Sequence, residues 1–107
     1  MPEQLDLLSN TTLEDAAECL KVLGHPIRLR IVDILMQGEF PVGRIAELCD
    51  VQPHQTSEHL RLLQGRRLLE SRRDGRVVLY RIADPRLPAL LHCIRRCCST
   101  EPGARPN

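Results

Sequence analysis

A mainly helical chain with one small β-hairpin is predicted by three observations. Apolar residues recur at helical spacing in segments punctuated by Gly and Pro, the period changes to alternation after Gly65, and helical spacing returns beyond Asp84. Residues 1–10 form a flexible lead-in. Thr11-Thr12-Leu13-Glu14 fits a capping box, in which the Thr11 hydroxyl and the Glu14 carboxylate satisfy the first free N–H groups. The first helix then runs to about Leu23, with Leu13, Ala16, Ala17, Leu20 and Leu23 on one face, and Gly24 stops it. Pro26 suits the first turn of a second helix, where its missing N–H costs nothing, and Ile27, Ile31, Ile34 and Leu35 form its apolar stripe up to Gly38.

A short third helix from Pro41 to Leu48 buries Val42, Ile45 and Ala46. Asp50-Val51-Gln52 makes a tight turn. Pro53 opens a fourth helix ending at Gln64, with Thr56, Leu60 and Leu63 facing inward. Leu68–Arg72 and Arg76–Ile82 read as strands about an Arg73-Asp74-Gly75 turn. A fifth helix starts from an Asp84 cap and Pro85, with Pro88 in its first turn and Leu87, Leu90, Leu91 and Ile94 on its apolar side. Residues 11–98 thus make one domain of five helices and two strands, and residues 99–107 a disordered tail.

The order helix, helix, short helix, turn, helix, hairpin, helix is that of a winged helix-turn-helix. Composition agrees with packed helices: of 107 residues 42% are hydrophobic and only 2% aromatic, so Leu, Ile, Val and Ala build the core. There is no apolar run of membrane-spanning length and no basic, apolar leader at the N-terminus, which predicts a cytoplasmic protein. The net charge of +1 hides a strong asymmetry. Residues 1–20 carry five acids and no Lys or Arg, whereas from His59 onward eleven Arg stand against four acids. Arg is the side chain best shaped for bidentate contacts to phosphate and guanine.

With Thr56, Leu60 and Leu63 inward, the fourth helix presents His54, Gln55, Ser57, Glu58 and Arg61. Gln reads adenine bidentately and Glu accepts from cytosine N4, while His54 can meet a base or phosphate and Ser57 a phosphate. A solvated polar helix face is the bland alternative; the turn before it and the hairpin after it favour duplex DNA. Arg72, Arg73 and Arg76 on the hairpin can enter a minor groove or clamp phosphate, and the same charges protect an edge strand from aggregation. Arg66 and Arg67 could add backbone contacts.

The stretches LGHPIRLRIVDIL (residues 23–35) and VGRIAELCDVQPHQTSEHLRLLQGRRLLESRRDGRVVLYRI (residues 42–82) resemble the ArsR/SmtB repressors, and Ser57, His59 and Leu60 match that family's Ser-x-His-Leu pattern. Glu58 departs from it, standing where the family more often has a basic residue or Gln. The resemblance covers roughly residues 13–94. It implies a homodimer formed by the first and last helices, binding to operator DNA, and release when an effector binds. The family's Cys-Val-Cys site at the third helix is replaced here by Pro41-Val42-Gly43. A second family site, on the last helix, finds Asp84 at its first ligand, Arg86 in place of the second and Cys97 where the third falls.

Five cysteines, an odd number in a chain without an export signal, point to free thiols, metal ligands or redox chemistry. Cys93 and Cys97 are one helical turn apart on one face, and both sulfurs can reach one soft ion. Cys98, about 100° further round, joins only if the helix end unwinds or if it serves the other subunit. Three thiolates suit trivalent arsenic, and Cys with His92 or Asp84 suits zinc or a similar divalent ion. A redox switch needs two thiols, whose pKa values Arg95 and Arg96 could lower. The expected metal site is therefore Cys93, Cys97 and Cys98, for As(III) or a soft or divalent metal ion, with no cofactor needed for DNA binding. Against it stands the reading of Cys93 as a small hydrophobe in a dimer interface. Cys19 and Cys49 read as packing residues, although Cys19 could approach the thiol cluster if the first helix pairs with the last, and His25 reads as part of a helix start. A winged-helix protein-interaction module is the competing class. An enzyme is remote, because no nucleophile–base pair or phosphate loop can be recognised.

Overall fold

The computed structural model describes residues 4–98; the proposed tail and the first three residues lie outside them. Five helices, α1 (Asn10–Leu23), α2 (Pro26–Leu35), α3 (Val42–Cys49), α4 (Pro53–Gly65) and α5 (Leu87–Cys98), surround a sheet of β1 (Phe40–Pro41), β2 (Leu69–Asp74) and β3 (Val77–Ile82). The sheet order is β1-β3-β2, antiparallel throughout. The five helices and the hairpin are those expected. β1 is an addition: Phe40 pairs with Tyr80 and Pro41 with Leu79, and two residues are too few to carry an alternation signal. Pro41, which lacks an N–H, occupies an edge strand, where a proline is tolerated.

The first helix starts earlier than the capping-box reading placed it. Ser9 is extended (φ −70°, ψ 157°) and its hydroxyl accepts from the Thr12 N–H at 3.1 Å, so Thr11 and Glu14 are already helical and exposed. The predicted inward face of α1 is also corrected. Only Leu23 is buried, while Leu13 and Leu20 are 48% and 58% exposed. Nothing among the described residues covers them fully.

At α2, His25 is the cap, its Nδ1 accepting from the Ile27 N–H at 3.1 Å, and Pro26 opens the helix as expected. Ile31, Val32, Ile34 and Leu35 are buried. The helix ends at Leu35, short of the expected stop at Gly38; that glycine instead has φ +147° and turns the chain into β1. α5 begins at Leu87, beyond the expected cap. Asp84 Oδ1 accepts from the Arg86 N–H at 2.9 Å in a preceding turn, which leaves Pro88 as the second helical residue with no hydrogen bond to lose.

One core joins these pieces: Leu23, Ile31, Val32, Leu35, Ile45, Leu60, Leu63, Leu68, Leu69, Leu87 and Leu91. It holds α4 against α2 and α3 on one side and the hairpin on the other. No helix among the described residues is long and apolar enough to cross a membrane.

Candidate DNA interface and thiol site

The α3–α4 corner is set by backbone geometry. Asp50 adopts a left-handed conformation (φ 58°, ψ 48°), and the Val51 N–H reaches back to the Ala46 carbonyl at 3.1 Å, closing α3 as a Schellman-type cap. Asp tolerates this region better than most residues that carry a Cβ. Pro53 then starts α4 without strain. Thr56, Leu60 and Leu63 are fully buried, as the spacing predicts, and the Thr56 hydroxyl donates to the Gln52 carbonyl at 3.1 Å. That fixes the rotation of α4 about its own axis. His54, Gln55, Glu58 and Arg61 are exposed and Ser57 is half-buried. Among the described residues, no side-chain hydrogen bond or ion pair engages any of the five, so their polar groups are available to a partner.

The hairpin turn is one residue later than its sequence signal. Asp74 pairs with Val77, leaving Gly75 and Arg76 as a two-residue loop, with φ +68° at Gly75. A positive φ at the first loop position only is the type II′ pattern, which matches the twist of the flanking strands. Arg73 and Arg76 are exposed and free of ion pairs among the described residues. Arg72 is different: it donates to Glu39 Oε1 at 2.9 Å, and the other oxygen of Glu39 takes Arg81, which also pairs with Glu70 at 2.6 Å. The hydrogen bond from Arg72, reinforced by Arg81, holds the Glu39 carboxyl below the usual carboxylate range. Glu39 lies beside β1 and braces the wing. Sequence reasoning missed it, because nothing local links residues so far apart in the chain. Arg66, one of the two extra phosphate candidates, bonds the Asp15 carboxylate at 2.9 Å and the Asp15 carbonyl at 3.1 Å and so ties α4 to α1; Arg67 is exposed.

At the other end of the molecule Cys93 and Cys97 face each other with sulfurs 4.0 Å apart, and both are exposed. Cys98 is exposed but does not join them. Among the described residues no three His, Cys, Asp or Glu side chains gather closely enough to hold a metal ion. Within this single chain, Cys93 and Cys97 are the thiols that come together. The Cys97 thiol is pushed above the ordinary range, first by its hydrogen bond to Cys93 and then by the charge Cys93 would carry. Arg95 turns away and pairs with Asp33 of α2, which also receives Arg30 at 3.3 Å. Burial pushes the Cys49 thiol up, in keeping with a packing role. Asp84 is occupied by Arg86 at 2.7 Å, and their hydrogen bonds hold its carboxyl down, so that carboxylate is neutralised within its own turn. Cys19 is half-buried in a groove of about 370 Å³ between α1 and α5, which Arg86 and Leu90 also line.

A short helix, a capped turn, a second helix with a free polar face and an Arg-tipped hairpin together define a winged helix-turn-helix DNA-binding protein. Residues 23–72 match the family model described as a helix-turn-helix domain. The chain is similar to the biofilm growth-associated repressor of Agrobacterium fabrum, with 31% identity over 75% of this chain and 68% of that protein. It is also 35% identical to the transcriptional repressor SmtB of Mycobacterium tuberculosis, over 70% of this chain and 56% of that one. Among solved structures, the repressor BigR from Xylella fastidiosa superposes with a TM-score of 0.76 at 26% identity, covering 88% of this chain and all of that one. The homodimeric winged helix-turn-helix domain of a possible ArsR-family regulator from Mycobacterium bovis does so at 0.73 and 33%, covering 88% of this chain and 86% of that one. This chain belongs to the ArsR/SmtB family of winged helix-turn-helix transcriptional regulators. It is a repressor-type protein built to bind DNA.

Proposed function

We propose that the chain is a homodimeric operator-binding repressor, that α4 and the wing read the DNA, and that a thiophilic ion bridging Cys93 and Cys97, arsenite foremost, releases it. The observation that carries the effector reading is the 4.0 Å separation of the two sulfurs. Residues one turn apart on a helix have Cβ atoms about 5–6 Å apart. A disulfide needs about 3.5–4.5 Å and therefore a distorted helix. A single atom bonded to both sulfurs leaves the helix intact. This favours ion bridging over a thiol redox switch.

The chemistry of arsenite suits protonated thiols. Arsenous acid condenses with two thiols, forming two As–S bonds and losing two waters, with no net proton released. A divalent ion must displace both protons, so its affinity climbs with pH. The third arsenic ligand is a retained hydroxyl, or Cys98 once the last turn of α5 unwinds.

The dimer reading rests on surfaces. Leu13 and Leu20 of α1 are exposed, and Leu90, Cys93 and Cys97 fall on one stripe of α5. A partner laid along α1 and α5 covers the leucines and brings the thiol pair beside the subunit boundary, where an ion can alter the spacing of the two DNA heads. The Mycobacterium bovis relative is described as a homodimer, which supports a dimer as such.

The test is binding to a duplex recovered by in vitro selection, titrated with arsenite, zinc, cadmium and hydrogen peroxide. Arsenite is expected to weaken wild-type binding by at least about tenfold, within the usual 5–150-fold range of allosteric coupling. It leaves the Cys93→Ser/Cys97→Ser/Cys98→Ser protein on the DNA, at an affinity independent of arsenite. Release by peroxide alone supports the redox alternative. If none of the four moves either protein, the thiol site is not the sensor. If no steeply salt-dependent duplex binding is found even at low salt, the repressor reading fails and a protein-interaction module takes its place.

A further inference from the structure

His59 lies on the recognition helix yet faces away from the DNA surface. It is half-buried, one residue before fully buried Leu60. Its Nδ1 accepts a hydrogen bond from Arg28 Nε at 3.2 Å, and a second nitrogen of the same guanidinium donates to the Val22 carbonyl at 2.8 Å. One α2 side chain thus ties the end of α1 to the middle of α4. The His25 ring stands 4.7 Å from that of His59, tilted by 51°. His25 in turn caps α2 through the Ile27 N–H. The start of α2 and the recognition helix are therefore joined by one polar cluster, alongside the apolar core.

We propose that Arg28 and His59 form a latch that positions the recognition helix for DNA, and that the latch holds only while His59 is unprotonated. A ring nitrogen that accepts from a guanidinium must be bare, which puts the proton of the neutral ring on Nε2. Protonating Nδ1 replaces an acceptor by a donor aimed at a cation. Arg28 and His25 are the groups facing His59 from α2 and its cap, and both are cationic or can become so. Among the described residues, Glu58 on α4 itself supplies the opposing charge. Burial first, then His25 and Arg28, push the His59 pKa below the ordinary histidine range, and Glu58 offsets only part of this. The sign follows. The contribution of neutral His59 to the native fold is complete above the ordinary histidine value of about 6.5 and is lost as pH falls through the lower value of the folded state.

DNA affinity supplies the readout. Duplex binding also varies with pH for reasons unrelated to this latch. The informative quantity is therefore the affinity of the wild type relative to His59→Asn. The Asn carbonyl oxygen sits where Nδ1 was and still accepts from Arg28, but it does not titrate. His59→Leu, which keeps the packing volume without an acceptor, is expected to bind an in vitro selected duplex about tenfold more weakly at pH 7.5, the scale of one hydrogen bond to a charged group. His59→Asn recovers most of that loss. Between pH 7.5 and 5.5 the wild type loses affinity relative to His59→Asn, by less than about tenfold because the lowered pKa leaves part of the free protein unprotonated at pH 5.5, with thermal melts confirming folded protein at both values. Binding to non-specific duplex at low salt is unaffected at pH 7.5. Parallel pH profiles for wild type and His59→Asn overturn the proposal, as does a His59→Leu protein that binds normally. A failure of all variants and the wild type to bind duplex would instead count against DNA binding itself.

Discussion

Leu60→Ala destabilises the protein by about 2–5 kcal/mol, the range for emptying a fully buried leucine site. Leu60 has no exposed surface, and it packs in the core where α4 meets α2, α3 and the hairpin. Truncation therefore opens a void at the junction of four elements that are themselves fixed by caps and strand pairing. Collapse around the void is limited, which places the loss in the upper half of the range. For a domain of this size each kcal/mol lowers the melting temperature by about 4–8 °C, so a fall above about 10 °C is expected. Leu62→Ala is the control. It sits on the same helix but is 47% exposed, and its cost should stay within about 0.5 kcal/mol. Urea unfolding of both variants at equal protein concentration checks the pair. Similar midpoints for the two would mean that α4 is not anchored as described.

Gln55→Ala and the double change Arg73→Ala/Arg76→Ala are expected to weaken DNA binding in different ways. Gln55 projects from the first turn of α4, where a recognition helix meets base edges, and its amide is free among the described residues. Losing a bidentate base contact costs about 1–3 kcal/mol on the selected duplex and nothing on non-specific DNA. The two arginines act through charge. Removing both lowers affinity for every duplex and reduces the log–log salt slope by about 1.8, or 0.9 for each phosphate contact. Binding to selected and scrambled duplexes across a salt series separates the two. A Gln55 effect of equal size on both duplexes removes it from base readout; an unchanged slope in the double variant removes the wing from phosphate. Arg72→Ala combines two effects, because that side chain also braces Glu39.

The order of elements could be read because local residues decide it. Pro26 and Pro53 each open a helix, Gly75 permits the one backbone turn that joins β2 to β3, and the buried positions of α4 follow a 3.6-residue period. The outward side chains of α4 were legible for the same reason: once Thr56, Leu60 and Leu63 are inward, the outward set is fixed. What remained hidden depends on pairs distant in the chain. Arg66 meets Asp15, Arg72 and Arg81 meet Glu39, Arg28 meets His59, and Arg95 meets Asp33. Arginines that looked alike in the sequence thus divide into those held by the fold and those left for a partner. The thiols show a different limit. Helical spacing correctly paired Cys93 with Cys97, but whether Cys98 joins depends on the helix end and on a second subunit, neither of which a periodicity can specify. The α1 face was misjudged because an apolar stripe shows that something covers it, not that the same chain does.

The sparse packing of α1 bears on how the molecule is made. α1 is translated before the other helices of this domain, yet it buries only Leu23, and the core that receives Leu23 is completed by Leu87 and Leu91 of the last helix. Its Asp15 clasp waits for Arg66. During synthesis α1 is therefore an amphipathic segment with nowhere to dock, and a helix of its length is marginal in water on its own. For most of the time the chain is being made, Leu13 and Leu20 are open to any apolar surface, including that of a neighbouring nascent chain.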